Sequence, residues 1–398
     1  MQRLFHRMGH QLGGTLMVAG ITLGVGMLAL PVATAEAGFL PSLAVYLLTW
    51  IFMICTGLLI LEACLWMPKE ANLITLSQRL LGKWGRLACW ILYLFLFSSL
   101  MVAHVAGGGT VFMQLFNGSF SNEWSILLYV LIFSPVVYLG TLWVDRANLI
   151  LMAGVLFTYF FFLFSALPHV RPDLLLHMSW SRMWVALPVV FTAFGYQSLI
   201  PTLLNYMNRD AKKVRRAIIF GTCIPLCIYI IWEFVILGII PLEGENGLLS
   251  TLEKGLNAVS PLHHHIGKKS ILVGGRILAF FVLTTSYLGI SIAFIDFLAD
   301  GLKVAKKGWK KLLLCLFVFG LPTAVSLWDP TLFIQALSFA GGFGVALLLG
   351  ALPILMVWAG RYYRGHSLLH QQLPGGKILL SLLMGFVLLE LFFTCLFL

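Results

Sequence analysis

The chain has 398 residues, of which 60% are hydrophobic and 10% are charged, and its formal net charge is +11. Soluble domains carry about 25% charged residues, so the composition excludes a soluble globular protein and indicates a polytopic membrane protein. The basic residues lie in short segments between apolar runs, as in determinants of membrane topology, and are not gathered on one face as nucleic-acid binding requires. We therefore expect membrane lipid around the chain and no nucleic-acid partner.

Apolar runs divide the chain into eleven predicted spans, because a helix needs about 20 apolar residues to cross a bilayer. The third and eighth runs are longer than the others, which predicts that these two helices are strongly tilted. The predicted spans cover residues 11–33, 39–66, 87–116, 124–142, 148–167, 184–204, 217–240, 271–299, 312–327, 331–358 and 377–397.

Lysine and arginine predict the orientation, because cytoplasmic loops of membrane proteins carry an excess of both. With the N-terminus in the cytoplasm, inner segments hold 20 of these residues and outer segments hold 5, with Arg276 just inside a span. This bias requires an odd number of spans and predicts that the C-terminus is periplasmic. The inner residues are Arg3, Arg7, Lys69, Arg79, Lys83, Arg86, Arg146, Arg209, Lys212, Lys213, Arg215, Arg216, Lys303, Lys306, Lys307, Lys310, Lys311, Arg361, Arg364 and Lys377.

The longest gap between spans, about residues 240–270, contains three successive histidines, His263, His264 and His265. Three adjacent residues do not share one face of a helix, so this spacing does not favour a zinc site. We expect a solvated loop here and no bound metal.

The first predicted span has a high glycine content. Residues 13–31 read GGTLMVAGITLGVGMLALP, and Gly24 and Gly26 fall near the expected membrane midplane. Since glycine costs about 1 kcal/mol relative to alanine inside a helix, the pair predicts a break. Bare backbone groups at that depth occur where they line a protein cavity, and broken helices mark the substrate sites of transporters. The alternative is an unbroken, closely packed span, because glycine is common in membrane helices.

The sixth predicted span carries a polar cluster between Pro188 and Pro201. An inverted repeat with a broken first helix predicts a matching break here. A proline kink would explain a bend but not the polarity, so the cluster favours a midplane site. Its members are Thr192, Gly195, Tyr196, Gln197 and Ser198.

Two half-helices that meet at the midplane have suitable polarity for an α-amino acid. The N-terminus of a half-helix has free N–H groups and a partial positive charge, which attract a carboxylate. We expect the backbone of Gly24, Val25 and Gly26 to hold the substrate carboxylate. The amino group is expected at carbonyls of the two half-helix C-termini, which are those near Ala19, Gly20 and Thr22 and those near Phe191, Thr192 and Phe194.

An aromatic substrate also needs apolar walls and one polar contact for its side chain. The candidates for these contacts are Met27, Phe194, Tyr196 and Gln197. For Met27 and Phe194, packing in the protein core is an equally reasonable interpretation.

Three blocks of sequence resemble the hydroxy and aromatic amino acid permease family, in the form used by bacterial tyrosine permeases. They are VAG and GVGMLALP within residues 18–31, PVVFTAFG in residues 188–195, and TSYLG with DFLAD within residues 285–300. General similarity covers nearly the whole chain, and the blocks are specific only in combination.

The resemblance implies an all-α fold like that of the leucine transporter, in one transmembrane domain covering residues 1–398. Two inverted repeats of five helices, about 11–167 and 184–358, would have discontinuous helices 1 and 6, with an eleventh helix at 377–397. The resemblance also implies ion-coupled uptake of aromatic amino acids across the bacterial inner membrane, with H⁺ or Na⁺ as the coupling ion. It implies no enzymatic activity and no cofactor.

The chain departs from the expected family pattern at two positions. The fifth span has no ionisable group near Met152 and Gly154, where the family pattern leads us to expect a lysine. Its absence leaves Na⁺ coupling or a differently placed proton site. His104 stands in the third span where an aromatic residue with a hydroxyl is expected, so the preference among aromatic side chains stays open.

Polar groups within the spans suggest two further contacts. Hydroxyls of Thr285 and Ser286 could complete a Na⁺-like oxygen site with carbonyls of Gly20 and Leu23, or they could bond back to their own helix. His104 shares one face of the third span with Gly108. We expect His104 to contact a substrate hydroxyl or to take part in proton coupling, and the alternative is a buried structural histidine.

Four carboxylates also lie within predicted spans, where ionisable groups are usually functional or paired. Asp296, near the inner end of the eighth span, is expected to pair with loop lysines. Glu62 and Glu390 are expected to be structural, and the sequence gives Glu233 no role.

Together these features predict a secondary transporter that imports tyrosine, and tryptophan as a second substrate, by alternating access. The nearest alternative is a serine or threonine permease of the same family, which would differ in pocket size. A membrane-embedded enzyme would need a cluster of catalytic side chains, and the predicted spans contain no such pattern. The sequence leaves the coupling stoichiometry and the oligomeric state open.

Overall fold

The computed structural model describes residues 9–67, 71–366 and 370–397, and all regular secondary structure in these ranges is helical. Within them, ten helices are long and apolar enough to cross a membrane, and a bent pair of shorter helices makes an eleventh candidate span. This agrees with the predicted polytopic membrane protein. Arg3, Arg7 and Lys69, which were counted in the predicted orientation, lie outside the described residues.

We number the helices by span, with two halves for the first and sixth. They are α1a (His10–Thr22), α1b (Gly26–Ala33), α2 (Phe39–Leu65), α3 (Leu73–Leu115), α4 (Asn122–Leu139), α5 (Thr141–Ala166), α6a (Leu187–Ala193), α6b (Ile200–Tyr206), α7 (Ala211–Leu237), α8 (Lys269–Leu302), α9 (Gly308–Trp328), α10 (Phe333–Tyr362) and α11 (Gly376–Phe397). Short helices occur between them, including Leu248–Glu253 and Leu262–His265 before α8; the second of these carries the three histidines.

α3 begins well before its predicted start at residue 87. Gly82, with φ +79°, kinks it and separates a short first segment from the long membrane span. That first segment is amphipathic, with Leu73, Leu76 and Leu80 buried and polar residues between them. A search for apolar runs misses such a segment because only one of its faces is apolar.

The loop predicted between the fourth and fifth spans is absent. Gly140 alone connects α4 to α5, and its φ of +115° gives the sharp turn that glycine adopts without strain. Arg146 therefore lies inside α5 and not in an inner loop, and its guanidinium carbon is 5.6 Å from the centre of the Trp143 ring.

α6a is held closely against α10. A Cβ atom on Gly341 would lie 1.7 Å from the carbonyl oxygen of Pro188, so only glycine permits this approach. The Thr192 hydroxyl also donates to the Leu337 carbonyl at 2.8 Å. The part of α10 that contains Gly341, Ala340–Ala351, is wound as a π-helix. This form is frequent at functional sites.

Ion pairs account for two of the four carboxylates within the predicted spans. Buried Glu62 on α2 accepts two hydrogen bonds of 2.7 Å from Arg361 on α10, a pairing consistent with the expected structural role. Asp296 on α8 pairs with Lys306 of the following loop at 2.8 Å, as predicted. Glu390 is buried on α11 and accepts a hydrogen bond of 3.0 Å from Thr394.

Candidate functional site

The first span is broken, as its glycine content predicts. α1a ends at Thr22, α1b begins at Gly26, and the two axes are bent by 52°. The N–H groups of Val25 and Gly26 donate to no atom in the described ranges, and the N–H of Gly24 interacts with the Tyr229 hydroxyl. The start of α1b therefore has the free donors and the partial positive charge of a helix N-terminus.

The sixth span is also interrupted near its predicted position. α6a ends at Ala193, the residues from Phe194 to Tyr196 are not helical, and a short 3-10 turn, Gln197–Leu199, leads into α6b. The predicted interruptions of both spans are therefore present.

Tyr229 on α7 links the two interruptions. Its buried hydroxyl lies 2.7 Å from the carbonyl oxygen of Thr22, at the end of α1a, and 3.1 Å from that of Ala193, at the end of α6a. These carbonyls are among the groups that we expected to receive the substrate amino group. Nothing in the sequence near Tyr229 predicts this role, because the two contacts are 207 and 36 residues away along the chain.

The half-helices α1b and α6a also touch directly. A Cβ atom on Gly26 would lie 2.7 Å from the Cβ of Ala193 and 2.8 Å from its Cα. The first residue of α1b therefore packs against the last residue of α6a at a distance that requires glycine.

A cavity of about 440 Å³ lies beside both interruptions. Its volume falls within the roughly 300–1,000 Å³ that is typical of small-molecule sites. The lining includes residues of α1, α3, α6 and α8. The predicted site residues that line it are Gly20, Thr22, Leu23, Gly24, Val25, Gly26, His104, Thr192, Gly195, Thr285 and Ser286.

The side chains of the sixth-span polar cluster do not all reach this cavity. Tyr196 donates to the Met53 carbonyl at 3.0 Å, and Gln197 donates to the Thr56 hydroxyl at 3.0 Å, so both are bonded to α2. Phe194 packs edge-on against Tyr229 at 5.3 Å between ring centres. Contrary to expectation, none of these three side chains lines the cavity, and each packs against or bonds to another part of the protein.

The remaining predicted site residues do not line the cavity and instead contact other parts of the protein. Met27 is buried in the core, and Phe191 packs 5.3 Å from Phe52. A Cβ on Gly108 would lie 2.4 Å from the Tyr129 ring, so Gly108 permits close packing of α3 on α4. The carbonyl of Ala19 accepts the N–H of Leu23 at 2.9 Å and so belongs to the last turn of α1a.

One face of α3 forms a cavity wall that the sequence analysis found only in part. Tyr93, Phe97, Leu100 and His104 line the cavity, at positions i, i+4, i+7 and i+11, which share one helix face. The periodicity was visible in the sequence, but a mainly apolar face of a membrane helix is equally consistent with contact to lipid.

His104 carries an unpaired hydrogen-bond acceptor next to this wall. Its Nδ1 lies 2.6 Å from the Leu100 carbonyl oxygen, and since that oxygen cannot donate, Nδ1 carries the proton. In the neutral ring Nε2 is then an acceptor, and this buried atom has no partner among the described residues. Two further lining residues have a buried oxygen without a partner there, Oδ1 of Asn148 and Oγ1 of Thr285.

The four residues of the predicted ion site come together at the cavity. Gly20 and Leu23 line it from α1, and Thr285 and Ser286 line it from α8. A Cβ on Gly24 would lie 3.1 Å from the Ser286 hydroxyl, which shows how closely α8 approaches the break. Thr285 is not bonded back to its own helix, because its hydroxyl has no partner in the described part of the chain.

Comparison with known proteins identifies a family and several similar transport proteins. Residues 8–393 match the model of the tryptophan/tyrosine permease family. The chain is 31% identical over 387 residues to the tyrosine-specific transport system 1 of Haemophilus influenzae, covering 95% of this chain and 94% of that protein. It is 29% identical over 384 residues to the tryptophan-specific transport protein of Pseudomonas aeruginosa (94% and 92% covered) and 30% identical over 374 residues to that of Haemophilus influenzae (88% and 87% covered).

Proposed function

Because the chain belongs to the tryptophan/tyrosine permease family, we propose that it imports tyrosine and tryptophan through the cavity beside the breaks of α1 and α6. Its relatives are named as transport proteins for these two amino acids, and it is a permease and not an enzyme. The observation that carries the proposal is the interruption of both helices, with free N–H groups at the start of α1b, next to a cavity of amino-acid size.

The backbone of the break would hold the substrate's charged groups. The free N–H groups of Val25 and Gly26 bind the carboxylate at the positive end of α1b. The amino group lies at the negative ends of α1a and α6a. The carbonyls of Thr22 and Ala193 already accept from Tyr229, but a carbonyl oxygen has two lone pairs and can accept a second hydrogen bond.

The α3 wall would hold the aromatic side chain. Phe97 and Leu100 supply apolar contacts, and Nε2 of His104 accepts one hydrogen bond at the far end. A tyrosine hydroxyl and a tryptophan indole N–H both donate, whereas a phenylalanine ring leaves the acceptor unpaired. An unpaired buried acceptor costs about 1–3 kcal/mol, which corresponds to roughly 5- to 150-fold in affinity.

Transport would proceed by ion-coupled alternating access in one transmembrane domain with the five-plus-five inverted repeat and α11 outside it. The similar interruptions of α1 and α6 support the repeat. H⁺ or Na⁺ would supply the energy, and Gly20, Leu23, Thr285 and Ser286 would form the site in the case of Na⁺. The bacterial relatives and the distribution of lysine and arginine support an inner-membrane location with a cytoplasmic N-terminus and a periplasmic C-terminus.

The direct test is uptake by proteoliposomes that contain the purified protein. Labelled tyrosine, tryptophan, phenylalanine and serine are compared under an imposed H⁺ gradient and then under a Na⁺ gradient. We expect uptake of tyrosine and tryptophan, weaker uptake of phenylalanine and none of serine. Uptake of serine equal to that of tyrosine would contradict the aromatic assignment. Accumulation that is the same with and without each gradient would contradict ion coupling.

The variant His104→Phe extends this test to the side-chain contact. It keeps an aromatic ring but removes the acceptor, so the preference for tyrosine over phenylalanine should fall by about tenfold or more. Phenylalanine uptake serves as the internal control for folding and insertion. An unchanged ratio between the two substrates would exclude a contact between His104 and the substrate.

A further inference from the structure

α7 carries a buried carboxyl, Glu233, one helical turn beyond Tyr229. Its Oε1 contacts the Thr34 hydroxyl at the end of α1b, and its Oε2 lies 2.7 Å from the Tyr46 hydroxyl on α2. The side chain is fully buried, and none of the ion pairs formed by the described residues includes it. Glu233 therefore joins three helices without a neutralising cation.

The hydrogen-bond contacts around this carboxyl favour a bound proton. The Thr34 hydroxyl contacts Glu233 and also lies 2.7 Å from the Leu30 carbonyl oxygen. A hydroxyl has one proton and a carbonyl has none, so an ionised Glu233 would leave one of these contacts without a hydrogen. A neutral Glu233 donates to Thr34, Thr34 donates to Leu30, and Tyr46 donates to Oε2.

The surroundings of the carboxyl favour this neutral form. An ionised carboxyl that is buried without a neutralising cation is very costly, and more so within a membrane. The titratable group that faces Glu233 is Tyr46 on α2, and Tyr229 lies one turn away on α7 itself. The Thr34 hydroxyl at the end of α1b and the Ser42 hydroxyl on α2 are also close to the carboxyl. On α5, the Tyr159 hydroxyl is instead bonded to the Ile228 carbonyl at 3.4 Å.

The same face of α7 connects this carboxyl to the helix breaks. Tyr229 and Glu233 are four residues apart and share that face, and Tyr229 bonds to the ends of α1a and α6a. The Phe194 ring, in the sixth-span break, packs edge-on against both Tyr229 and Tyr46. These contacts form a continuous path from the breaks to the groups that surround Glu233.

We propose that Glu233 binds the coupling proton of this transporter. The inference rests on the proposed ion-coupled import and selects H⁺ as the ion. With α1b docked against α7 the carboxyl is neutral, with its proton donated to Thr34. When α1b moves away, the carboxyl is exposed to water and ionises, and the proton taken up from one side of the membrane is released on the other. The absence of a lysine near Met152 is consistent with a proton site elsewhere.

The test compares Glu233→Gln with the wild-type protein in proteoliposomes. Glutamine keeps a donor and an acceptor in the same shape but cannot release a proton. Exchange of labelled for unlabelled tryptophan needs no driving force and should persist. At one proton per substrate, a gradient of one pH unit supports about tenfold accumulation, and this should disappear in Glu233→Gln. Glu390→Gln alters the other buried, cation-free carboxyl and should accumulate tryptophan like the wild type.

An infrared measurement tests the proton without any substrate. Difference spectra between acidic and alkaline buffer should show a protonated-carboxyl band in the wild type and in Glu390→Gln that is missing from Glu233→Gln. If Glu233→Gln does not fold, Tyr46→Phe replaces it. That variant removes the donor to Oε2, so the same band should move to the higher frequency of a less hydrogen-bonded carbonyl.

The outcomes separate this inference from the proposed function. Normal proton-driven accumulation by Glu233→Gln would overturn it, and so would an infrared band that neither variant changes. If Glu233→Gln loses both exchange and accumulation, Glu233 has a structural role, and the inference is overturned as well. If the wild type gives the expected band but does not transport tyrosine or tryptophan, the proton site stands and the aromatic substrate assignment falls.

Discussion

The two interrupted helices present different chemistry around one cavity. At the break in α1, residues from Gly20 to Gly26 line the cavity, and the N–H groups of Val25 and Gly26 have no acceptor among the described residues. At the break in α6, Tyr196 and Gln197 turn away from the cavity and bond to α2. The first break therefore leaves backbone donors unpaired beside the cavity, whereas the side chains of the second fix the protein chain.

The difference extends to the contacts that hold α6a and α1b in place. α6a is tied to α10 by the Thr192 hydroxyl and by the close approach of Gly341 to Pro188. α1b is a helix of eight residues that bonds to α7 through the Thr34 and Glu233 side chains. We infer that α1b moves against a stationary α6 during transport, and three variants test this comparison.

The largest effect is expected from Gly26→Ala. Its added methyl group would meet Ala193 at 2.7 Å from Cβ and 2.8 Å from Cα, and backbone atoms cannot turn aside as a flexible side chain can. Overpacking of this kind costs about 1–3 kcal/mol. α1b must separate from α6a, which displaces the N–H groups that we propose to bind the carboxylate. We expect tyrosine uptake to be abolished while the amount of protein in the membrane stays normal.

Gly385→Ala is the matched control, because a Cβ at this position on α11 has no neighbour within 4 Å. Alanine is the better helix former by about 1 kcal/mol, so this variant should insert and transport normally. Uptake by Gly26→Ala close to the wild-type rate would show that the junction of α1b and α6a tolerates separation.

Tyr229→Phe should have an intermediate effect. It keeps the ring against Phe194 but removes the hydroxyl that holds the Thr22 and Ala193 carbonyls. Each hydrogen bond contributes about 0.5–1.5 kcal/mol, so losing this link should lower the ratio of maximal uptake rate to KM about tenfold. Uptake measured over a range of tyrosine concentrations checks this.

Tyr159→Phe is the control for that measurement. It removes a tyrosine hydroxyl from α5 that forms one long bond of 3.4 Å to the Ile228 carbonyl of the same neighbouring helix, α7. If both variants lose uptake equally, the effect comes from packing around α7 and not from the link between the breaks.

The comparison also shows what the sequence could predict. The break in α1 follows from a local property, the helix cost of Gly24 and Gly26, and the spans follow from runs of apolar residues. Neither depends on distant contacts. The single-residue turn at Gly140 was missed because Leu142 to Val144 continue the apolar run, which moves the apparent end of the span.

The functional contacts were harder to predict because polarity does not identify a partner. Tyr196 and Gln197 are polar within a membrane span, which indicates that each needs a hydrogen bond. A substrate and the Met53 carbonyl meet that need equally well, and Met53 is more than 140 residues away along the chain. The same limit applies to Tyr229 and Glu233, whose partners only the folded chain brings near.

The smallest effect is expected from Tyr196→Phe. This variant tests whether the side chains at the break in α6 serve to fix the protein chain. The variant removes one hydrogen bond of 3.0 Å to the Met53 carbonyl, and the carbonyl keeps the Gln197 amide as a longer contact at 3.4 Å. The protein should therefore lose about 1 kcal/mol of stability, seen as a lower melting temperature in detergent. Because the hydroxyl points to α2 and not to the cavity, KM for tyrosine should not change. A raised KM with unchanged stability would mean that Tyr196 contacts the substrate, and the second break would then bind the ligand just as the first one does.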